Sequence, residues 1–304
     1  MPTTLRPDVL VAGGDRLGEG PLWDDRTGTL HWIDISDGEI WSRTGLDDDA
    51  TVERRTTPSM VGTVALDEDG RLFAGLVDGI AVLDGAEGDA VATAGGDPDW
   101  RMVATYGDQP ADVRSNDGKA DPFGSLVIGT AHHDGAPDLG KLYRLRPDRA
   151  DLEVLLEPVT ISNGLDWDET GTTLTYIDTP TRTLRRFRYR PDGPLEPTGD
   201  DLVVDRTLGH PDGMCLDADG CAWVALWGGG GVARFTPAGV LDTFVEVPTT
   251  NVTCCCFAGA DLDRLVITTA SQGLDAGADR THAGSVFVVD PGVTGRRANR
   301  IWRT

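Results

Sequence analysis

Four oxygen-bearing side chains recur eight or nine residues before a repeated turn signal. They are Glu19, Asn116, Asn163 and Asp212. If the fold brings them together, two carboxylates and two amides without a basic neighbour would repel and be poorly solvated unless a divalent cation lay between them. Oxygen ligands favour Ca²⁺, Mg²⁺ or Mn²⁺, and a mixed-ligand Zn²⁺ or Fe²⁺ stays open. The alternative is that Asn and Asp next to Gly only form turns, which is common in β-proteins.

The turn signal belongs to a sequence pattern that occurs six times. An acidic residue and a turn ending in Gly precede a short alternating apolar run, as in WDDRTGTLHWIDI, LDEDGRLFAGL and LDADGCAWVAL. Gly allows the positive φ of a tight turn, so each copy predicts a β-hairpin. The turn positions are 28, 70, 124, 171, 220 and 263, where the last copy has Asp263 instead of Gly. Their spacing of 42 to 54 residues accommodates four strands per repeat.

An all-β, six-bladed β-propeller accounts best for six four-stranded repeats and for the lack of a convincing amphipathic helical stretch. A pair of β-sandwiches would not explain the regular step, and solenoid repeats are usually shorter. We therefore expect residues 1–304 to form a single propeller domain. Its innermost strands would meet around one axis and bring together the four side chains above. The other two repeats place Gly62 and Cys255 at the equivalent position, and both are small enough to leave room.

The overall charge narrows the range of partners. Among 304 residues, 27 Lys and Arg stand against 50 Asp and Glu, which gives a net charge of −23 at pH 7. Such a chain repels nucleic-acid phosphates and anionic membranes and favours cations or neutral ligands. The N-terminal residues lack the pattern of a signal peptide, and no run of apolar residues is long enough to span a bilayer. We expect a cytoplasmic monomer or weak homo-oligomer that binds neither nucleic acid nor membrane.

Cysteines and histidines carry weaker signals. Five cysteines, three of them adjacent at 254–256, suit neither a disulfide framework nor a zinc pair, so we expect buried thiols on a strand in a reducing compartment. His132 and His133 suggest a transition-metal pair, but adjacent residues on a strand point to opposite faces, so at most one would reach a given ion. The remaining histidines are expected to be structural: His31, His210 and His282.

Five segments of the chain resemble the signature segments of a known protein family. They are LGEGPLWDD, RSNDGKADPFG, ISNGLDWDETG, PDGMCLDADGCAWVALWGGG and TCCCFAGADLDRLVITTA. These segments resemble those of the regucalcin / senescence marker protein / gluconolactonase family. They occur in the same order as in the family and extend from about residue 17 to residue 290. The resemblance implies a six-bladed propeller that holds one divalent metal ion on its axis. Ca²⁺ is the expected ion, with Zn²⁺, Mn²⁺, Mg²⁺ or Fe²⁺ as alternatives.

The resemblance also implies roles for individual residues of the metal centre. Glu19, Asn163 and Asp212 match the metal ligands of the family. Asp212 would also accept the proton of the attacking water. A carboxylate bound to a dication is a weakened base, however, because the ion stabilises its charged form. Asp117, which the resemblance places beside the water on the metal, is therefore a second candidate for this catalytic work.

Substrate contacts are implied at three further positions. Arg114 and Asn116 would contact the substrate, and Asp134 would hold a sugar hydroxyl. Here the chain departs from the family pattern, which often shows Gly-Thr-Met followed by small and acidic residues. This chain has Gly-Thr-Ala-His-His-Asp at 129–134. A shorter acid and two imidazoles would change the rim of the pocket and leave the sugar preference open.

These observations predict a metal-dependent lactonase, a carboxylic ester hydrolase of the gluconolactonase type that opens a small sugar lactone to its hydroxy acid. One alternative is a metal-dependent phosphotriesterase, since a Lewis acid beside a carboxylate suits that reaction too. Another is a non-catalytic, calcium-binding regulatory propeller. Arg114 favours an enzyme, because a calcium buffer has no use for a cation beside its ion, whereas a pocket for a polarised carbonyl does.

Overall fold

Strands account for nearly all the regular structure of the protein. The computed structural model describes residues 2–47, 50–83, 100–149, 151–274 and 277–302. Within these ranges the chain forms 26 β-strands and two short 3₁₀ helices, Thr179–Thr181 and Arg206–Leu208. No helix in these ranges combines the length and the apolar character needed to cross a membrane.

The strands form six sheets that follow one another along the chain. Two short strands come first, β1 (Thr3–Leu5) and β2 (Asp8–Val11). Blade 1 contains β3 (Gly18–Asp24), β4 (Thr29–Asp34), β5 (Glu39–Thr44) and β6 (Val52–Thr56). Blade 2 contains β7 (Thr63–Leu66), β8 (Leu72–Gly75), β9 (Gly79–Leu83) and β10 (Trp100–Thr105). Blade 3 contains β11 (Val113–Ala120), β12 (Leu126–His132), β13 (Gly140–Leu145) and β14 (Leu152–Val159).

The second half of the ring repeats this arrangement. Blade 4 contains β15 (Ser162–Trp167), β16 (Thr173–Asp178), β17 (Thr183–Arg188) and the short strands β18 (Glu196–Pro197) and β19 (Leu202–Val203). Blade 5 contains β20 (His210–Leu216), β21 (Ala222–Trp227), β22 (Gly231–Phe235) and β23 (Leu241–Glu246). Blade 6 contains β24 (Val252–Ala258), β25 (Arg264–Thr269) and β26 (Val286–Val289).

The N-terminal strands complete the last two blades. β2 pairs antiparallel with β26 and serves as the outermost strand of blade 6. β1 pairs parallel with β23 and extends blade 5. Within each blade the remaining neighbours pair antiparallel, beginning at the innermost strand. This arrangement confirms the predicted all-β, six-bladed propeller.

Five of the innermost strands share an irregularity, which in four of them lies at or next to the position that the sequence singled out. The ladder to the neighbouring strand is interrupted in β3, β11, β15, β20 and β24. The interruption leaves Asn116, Asn163 and Asp212 outside the ladder, and in β3 it follows Glu19 directly. In β24 it lies at Thr253, and Cys255 stays in the ladder, paired with Ile267. A bulge of this kind bends the strand and changes the direction of its side chains. Because these strands are the innermost ones, the residues at the bulges lie next to the axis.

Residues 294–302 cross the end of the ring that carries the hairpin turns. We call this end the turn face and the opposite end the loop face. Ile301 pairs with Asp67 of blade 2, and the N–H of Trp302 donates to the Gly124 carbonyl of blade 3 at 3.0 Å. Gly124 has a φ of 81° and lies against the Trp302 ring, so a side chain at this position would collide with the ring. The C-terminal segment therefore connects blades across the turn face.

A cavity of about 220 Å³ lies between this segment and the axis. Its wall includes Asp117 and Lys119 of β11, Asp166 of β15, Cys254 of β24 and Arg296 of the C-terminal segment. The cavity thus extends along the axis from Asp117 to the turn face.

The cysteine triplet lies on an inner strand. Cys254 and Cys255 of β24 are buried, Cys256 is half-buried, and all five cysteines are free thiols. The Sγ atoms of Cys215 and Cys255 are 3.7 Å apart, much farther than the roughly 2.05 Å of a disulfide. The expectation of thiols packed along a strand is confirmed.

Candidate metal and catalytic centre

Six polar side chains are buried around the axis, on the inner strands of blades 1, 3, 4 and 5. Their exposed fractions lie between 4 and 8%. They are Glu19 of β3, Arg114, Asn116 and Asp117 of β11, Asn163 of β15 and Asp212 of β20. The sequence singled out each of them for metal binding, catalysis or substrate binding. We call these six side chains the axial group.

A chain of hydrogen bonds connects the amides of the axial group. Arg114 Nη1 donates to Asn116 Oδ1 at 2.7 Å, and Asn116 Nδ2 donates to Asn163 Oδ1 at 3.0 Å. Asn163 Nδ2 donates to Thr179 Oγ1 at 2.8 Å, and Thr179 donates to the backbone carbonyl that precedes Asp212. The chain runs from blade 3 through blade 4 to blade 5. It fixes the amide of Asn163 with its oxygen on the side of Asn116.

The three carboxylates of the axial group all have a raised pKa, for which burial is the largest cause. Burial is the largest cause of the raised pKa of Glu19, and the charges of Asp212 and Asp117 add to it. Burial and the charge of Asp117 likewise raise the pKa of Asp212. Burial raises the pKa of Asp117 to about 6, although Lys119 and the Gly118 N–H act in the opposite direction. A positive charge among these carboxylates would stabilise their ionised forms.

Arg114 supplies only part of that charge. Burial lowers its pKa to about 10, an effect that Glu19 and Asp212 oppose, so the guanidinium stays protonated at neutral pH. One guanidinium cannot balance three carboxylates. In addition, Asp117 Oδ2 is buried and has no hydrogen-bond partner among the described residues. Buried carboxylate and amide oxygens in this number suit a hard divalent cation such as Ca²⁺.

Asp134, the remaining predicted substrate residue, lies apart from the axial group. Its side chain is 76% exposed, and its Oδ1 is 3.1 Å from His133 Nε2. Because β11 runs from the loop face to the turn face and β12 runs back, Asp134 lies on the loop face of blade 3. Its contact with a sugar hydroxyl stays a prediction.

The arrangement of the two neighbouring histidines differs from the expectation. The prediction that His132 and His133 point to opposite faces is wrong, because their ring centroids are only 5.2 Å apart. His132 is the last residue of β12, and His133 already belongs to the turn that follows. The alternation of side chains along a strand does not extend into a turn.

The sequence comparison decides the family. The family model that describes the SMP-30/Gluconolactonase/LRE-like region matches residues 17–271. The chain belongs to this family. The resemblance of the five sequence segments is thereby confirmed.

Relatives in the SMP-30/gluconolactonase family align with nearly the whole chain. L-arabinolactonase from Azospirillum brasilense is 32% identical over 285 residues, which cover 92% of this chain and 90% of the relative. Regucalcin from Danio rerio is 31% identical over 298 residues, which cover 94% and 95%. The crystal structure of a calcium-binding protein, regucalcin, from Agrobacterium tumefaciens has a TM-score of 0.86 at 28% identity and covers 99% of both chains. The similar proteins thus include a named lactonase and a protein described as calcium-binding.

In this member of the SMP-30/gluconolactonase family, one residue near the axis, Lys119, is not marked by any sequence motif. Lys119 Nζ donates to the Met214 carbonyl at 2.7 Å and lies 3.8 Å from Asp166 Oδ2. These contacts connect β11, β15 and β20, the three strands that carry most of the axial group. One feature of the sequence could have drawn attention to Lys119: the chain has 25 arginines and only two lysines, Lys119 and Lys141.

Replacing Lys119 by Met is expected to destabilise the protein. The variant leaves the buried Met214 carbonyl without its donor, which typically costs about 1–3 kcal/mol. Lys141→Met is the matched control, because its ion pair at 2.7 Å is with an exposed carboxylate, Glu157, and such surface pairs contribute at most about 1 kcal/mol. Urea unfolding of both variants measures the difference. Equal losses of unfolding free energy would show that Lys119 does not hold the three strands together.

Proposed function

We propose that this protein is a metal-dependent lactonase that opens a small, sugar-derived lactone to its hydroxy acid. One observation carries the proposal: buried carboxylates and amides from four blades surround the axis together with a buried arginine. A calcium store needs the acidic groups but gains nothing from Arg114. An arginine beside the acidic groups suits the binding of a carbonyl-containing substrate. The similarity to a named L-arabinolactonase supports the same reading.

Glu19, Asn163 and Asp212 would hold the ion, for which Ca²⁺ is the expected choice. When bound, a divalent ion polarises a carbonyl oxygen and stabilises the negative charge that develops on it. The donor chemistry fits this role, since all three side chains offer oxygen atoms.

Arg114 and Asn116 would orient the lactone. Among the described residues, Arg114 donates hydrogen bonds through Nη1, to Asn116 Oδ1 and to the Ser115 carbonyl. The guanidinium is therefore fixed, while its other nitrogens keep donors for the ring or its hydroxyls. The C-terminal segment crosses the turn face, so the substrate would enter from the loop face, where Asp134 would contact a sugar hydroxyl.

The chemical step requires a base. The oxygen of a water molecule attacks the carbonyl carbon, the bond from this carbon to the ring oxygen breaks, and the ring oxygen takes up a proton. Asp212 and Asp117 are the candidates to accept the proton of the water. The free Oδ2 of Asp117 supports a share for this residue, because it accepts no hydrogen bond among the described residues.

Chelation combined with a substrate panel tests the proposed function. We expect the full-length protein to hydrolyse at least one aldonolactone with a five- or six-membered ring in a pH-indicator assay. EDTA should remove the activity, and one added divalent ion should restore it. An organophosphate in the same panel tests the phosphotriesterase alternative. Activity that withstands EDTA would contradict the metal-dependent mechanism, and calcium binding without turnover of any substrate would favour a regulatory protein.

A further inference from the structure

A group of side chains with potential metal-ligating atoms lies on the loop face of blade 3, apart from the axial group. Asp112 immediately precedes β11, His132 ends β12 and His133 follows it. The carboxylate and one nitrogen of each imidazole offer ligand atoms that all lie within 4.8 Å of one another. We call Asp112, His132 and His133 the rim cluster.

The sheet holds the rim cluster in register. Val113 pairs with His132, and the N–H of His133 donates to the Asp112 carbonyl at 2.9 Å. Asp112 has a φ of 64°, a backbone conformation that residues other than glycine seldom adopt. The two strands, rather than the intrinsic preference of Asp112, therefore keep its carboxylate beside the imidazoles.

Asp134 contacts both imidazoles of the rim cluster, and its carboxylate supports that of His133. Its backbone N–H donates to His132 Nδ1 at 3.2 Å, and its Oδ1 lies 3.1 Å from His133 Nε2. The backbone hydrogen bond occupies the lone pair of His132 Nδ1, so His132 must give up this bond to ligate an ion. A carboxylate at one nitrogen of a ligating imidazole fixes the ring and makes the other nitrogen more basic. In His133 this arrangement leaves Nδ1 as the nitrogen that can bind the ion.

The rim cluster and the axial group differ in the chemical class of their ligands. Two imidazoles and a carboxylate suit Zn²⁺, Co²⁺ or Ni²⁺, whereas the oxygen ligands of the axial group suit Ca²⁺. The additional carboxylate of Asp134 and the net charge of −23 favour a cation at this position.

We propose that the rim cluster is a second metal site, which takes a borderline transition-metal ion such as Zn²⁺. Three protein ligands leave a coordination position open for water or another small ligand. Tetrahedral bonds of about 2.0–2.1 Å place ligand atoms about 3.3 Å apart. The three side chains must therefore close from separations of up to 4.8 Å, which is feasible because Asp112 and His133 are exposed and His132 is half-buried. Zinc binding at this site does not require the proposed lactonase activity, although Asp134 takes part in both proposals.

Zinc titration of the full chain tests the proposal. Calorimetry with Zn²⁺ as titrant, in saturating Ca²⁺, compares the unmodified protein with the His132→Ala/His133→Ala double variant. His282→Ala is the matched control, because it removes an imidazole from blade 6. We expect one Zn²⁺ per chain in the unmodified protein and in the control, and no binding of that affinity in the double variant. Asp134→Asn should weaken Zn²⁺ binding roughly 10- to 100-fold, since it removes the carboxylate that orients the His133 imidazole without itself being a ligand.

Two further measurements separate this site from the axial one and from any loss of fold. Zinc binding should persist in an Asp212→Asn background, so failure of the axial site would leave the result unchanged. Asp112→Asn should weaken Zn²⁺ binding with both imidazoles in place, which serves as a second test if the double variant unfolds. Equal zinc affinity in the unmodified protein and the double variant, or no zinc binding to the unmodified protein, would overturn the proposal whatever the lactone assay shows.

Discussion

Asp212→Asn is expected to remove both metal binding and lactone hydrolysis. The carboxylate is buried in the axial group, and the amide cannot replace its charge toward a dication. Lewis-acid stabilisation is worth several kcal/mol, and each 1.4 kcal/mol or so corresponds to a factor of ten in rate, so kcat/KM should fall roughly 10³-fold or more. Calorimetry with Ca²⁺ and the lactone assay measure the two losses on the same preparation.

The same substitution should stabilise the metal-free protein. The charge of Asp212 raises the pKa of Glu19, which means that the two carboxylates repel when no cation is present. A neutral amide removes this repulsion, so the Tm of Asp212→Asn in EDTA should be at least that of the unmodified protein. Asp219→Asn is the control, since Asp219 is an exposed carboxylate of the same blade. A variant that folds, binds Ca²⁺ normally and keeps its turnover would contradict the proposed ligand set.

Asp117→Asn should separate turnover from metal binding. If Asp117 accepts the proton of the attacking water, its loss should lower kcat by about 10²- to 10⁴-fold, the usual range for a general base. Glu19, Asn163 and Asp212 remain in place, so Ca²⁺ affinity should change little. Steady-state kinetics at saturating Ca²⁺ and calorimetry give both values.

The outcome decides between the two candidate bases. Full activity in Asp117→Asn would indicate that Asp212 accepts the proton of the water. Loss of Ca²⁺ binding would indicate that Asp117 is a metal ligand. Asp219→Asn again serves as the control for changes in overall charge. A large fall in kcat with unchanged Ca²⁺ affinity is the result that supports a catalytic role.

The repeat made the fold and four members of the axial group predictable from sequence. Each copy carries a Gly or an equivalent turn residue at a fixed place, and the inner strand must precede that turn. Counting back therefore reached Asn116, Asn163 and Asp212 without any knowledge of tertiary contacts. The roles of Arg114 and Asp117 came from the family resemblance, because nothing in the repeat marks them.

Features that depend on the closed ring could not be predicted in this way. The contacts of Lys119 join three blades that are far apart in sequence, and no local pattern encodes them. The two histidines show a different limit. If β12 extended one residue further, the side chain of His133 would point to the opposite face from that of His132, and sequence patterns do not locate the end of a strand that accurately. The strand β2 is likewise short, and its partner β26 lies more than 270 residues away in the sequence, so no local pattern predicts their pairing.

The closure of blade 6 has a consequence for synthesis on the ribosome. Residues 8–11 are made long before their partner strand at 286–289. The nascent protein must therefore carry an unpaired strand until residues 286–289 have left the ribosome, and blade 6 can be completed only then. Bulky fusions placed directly before residue 8 would interfere with this last step more than fusions in the surface loops between blades.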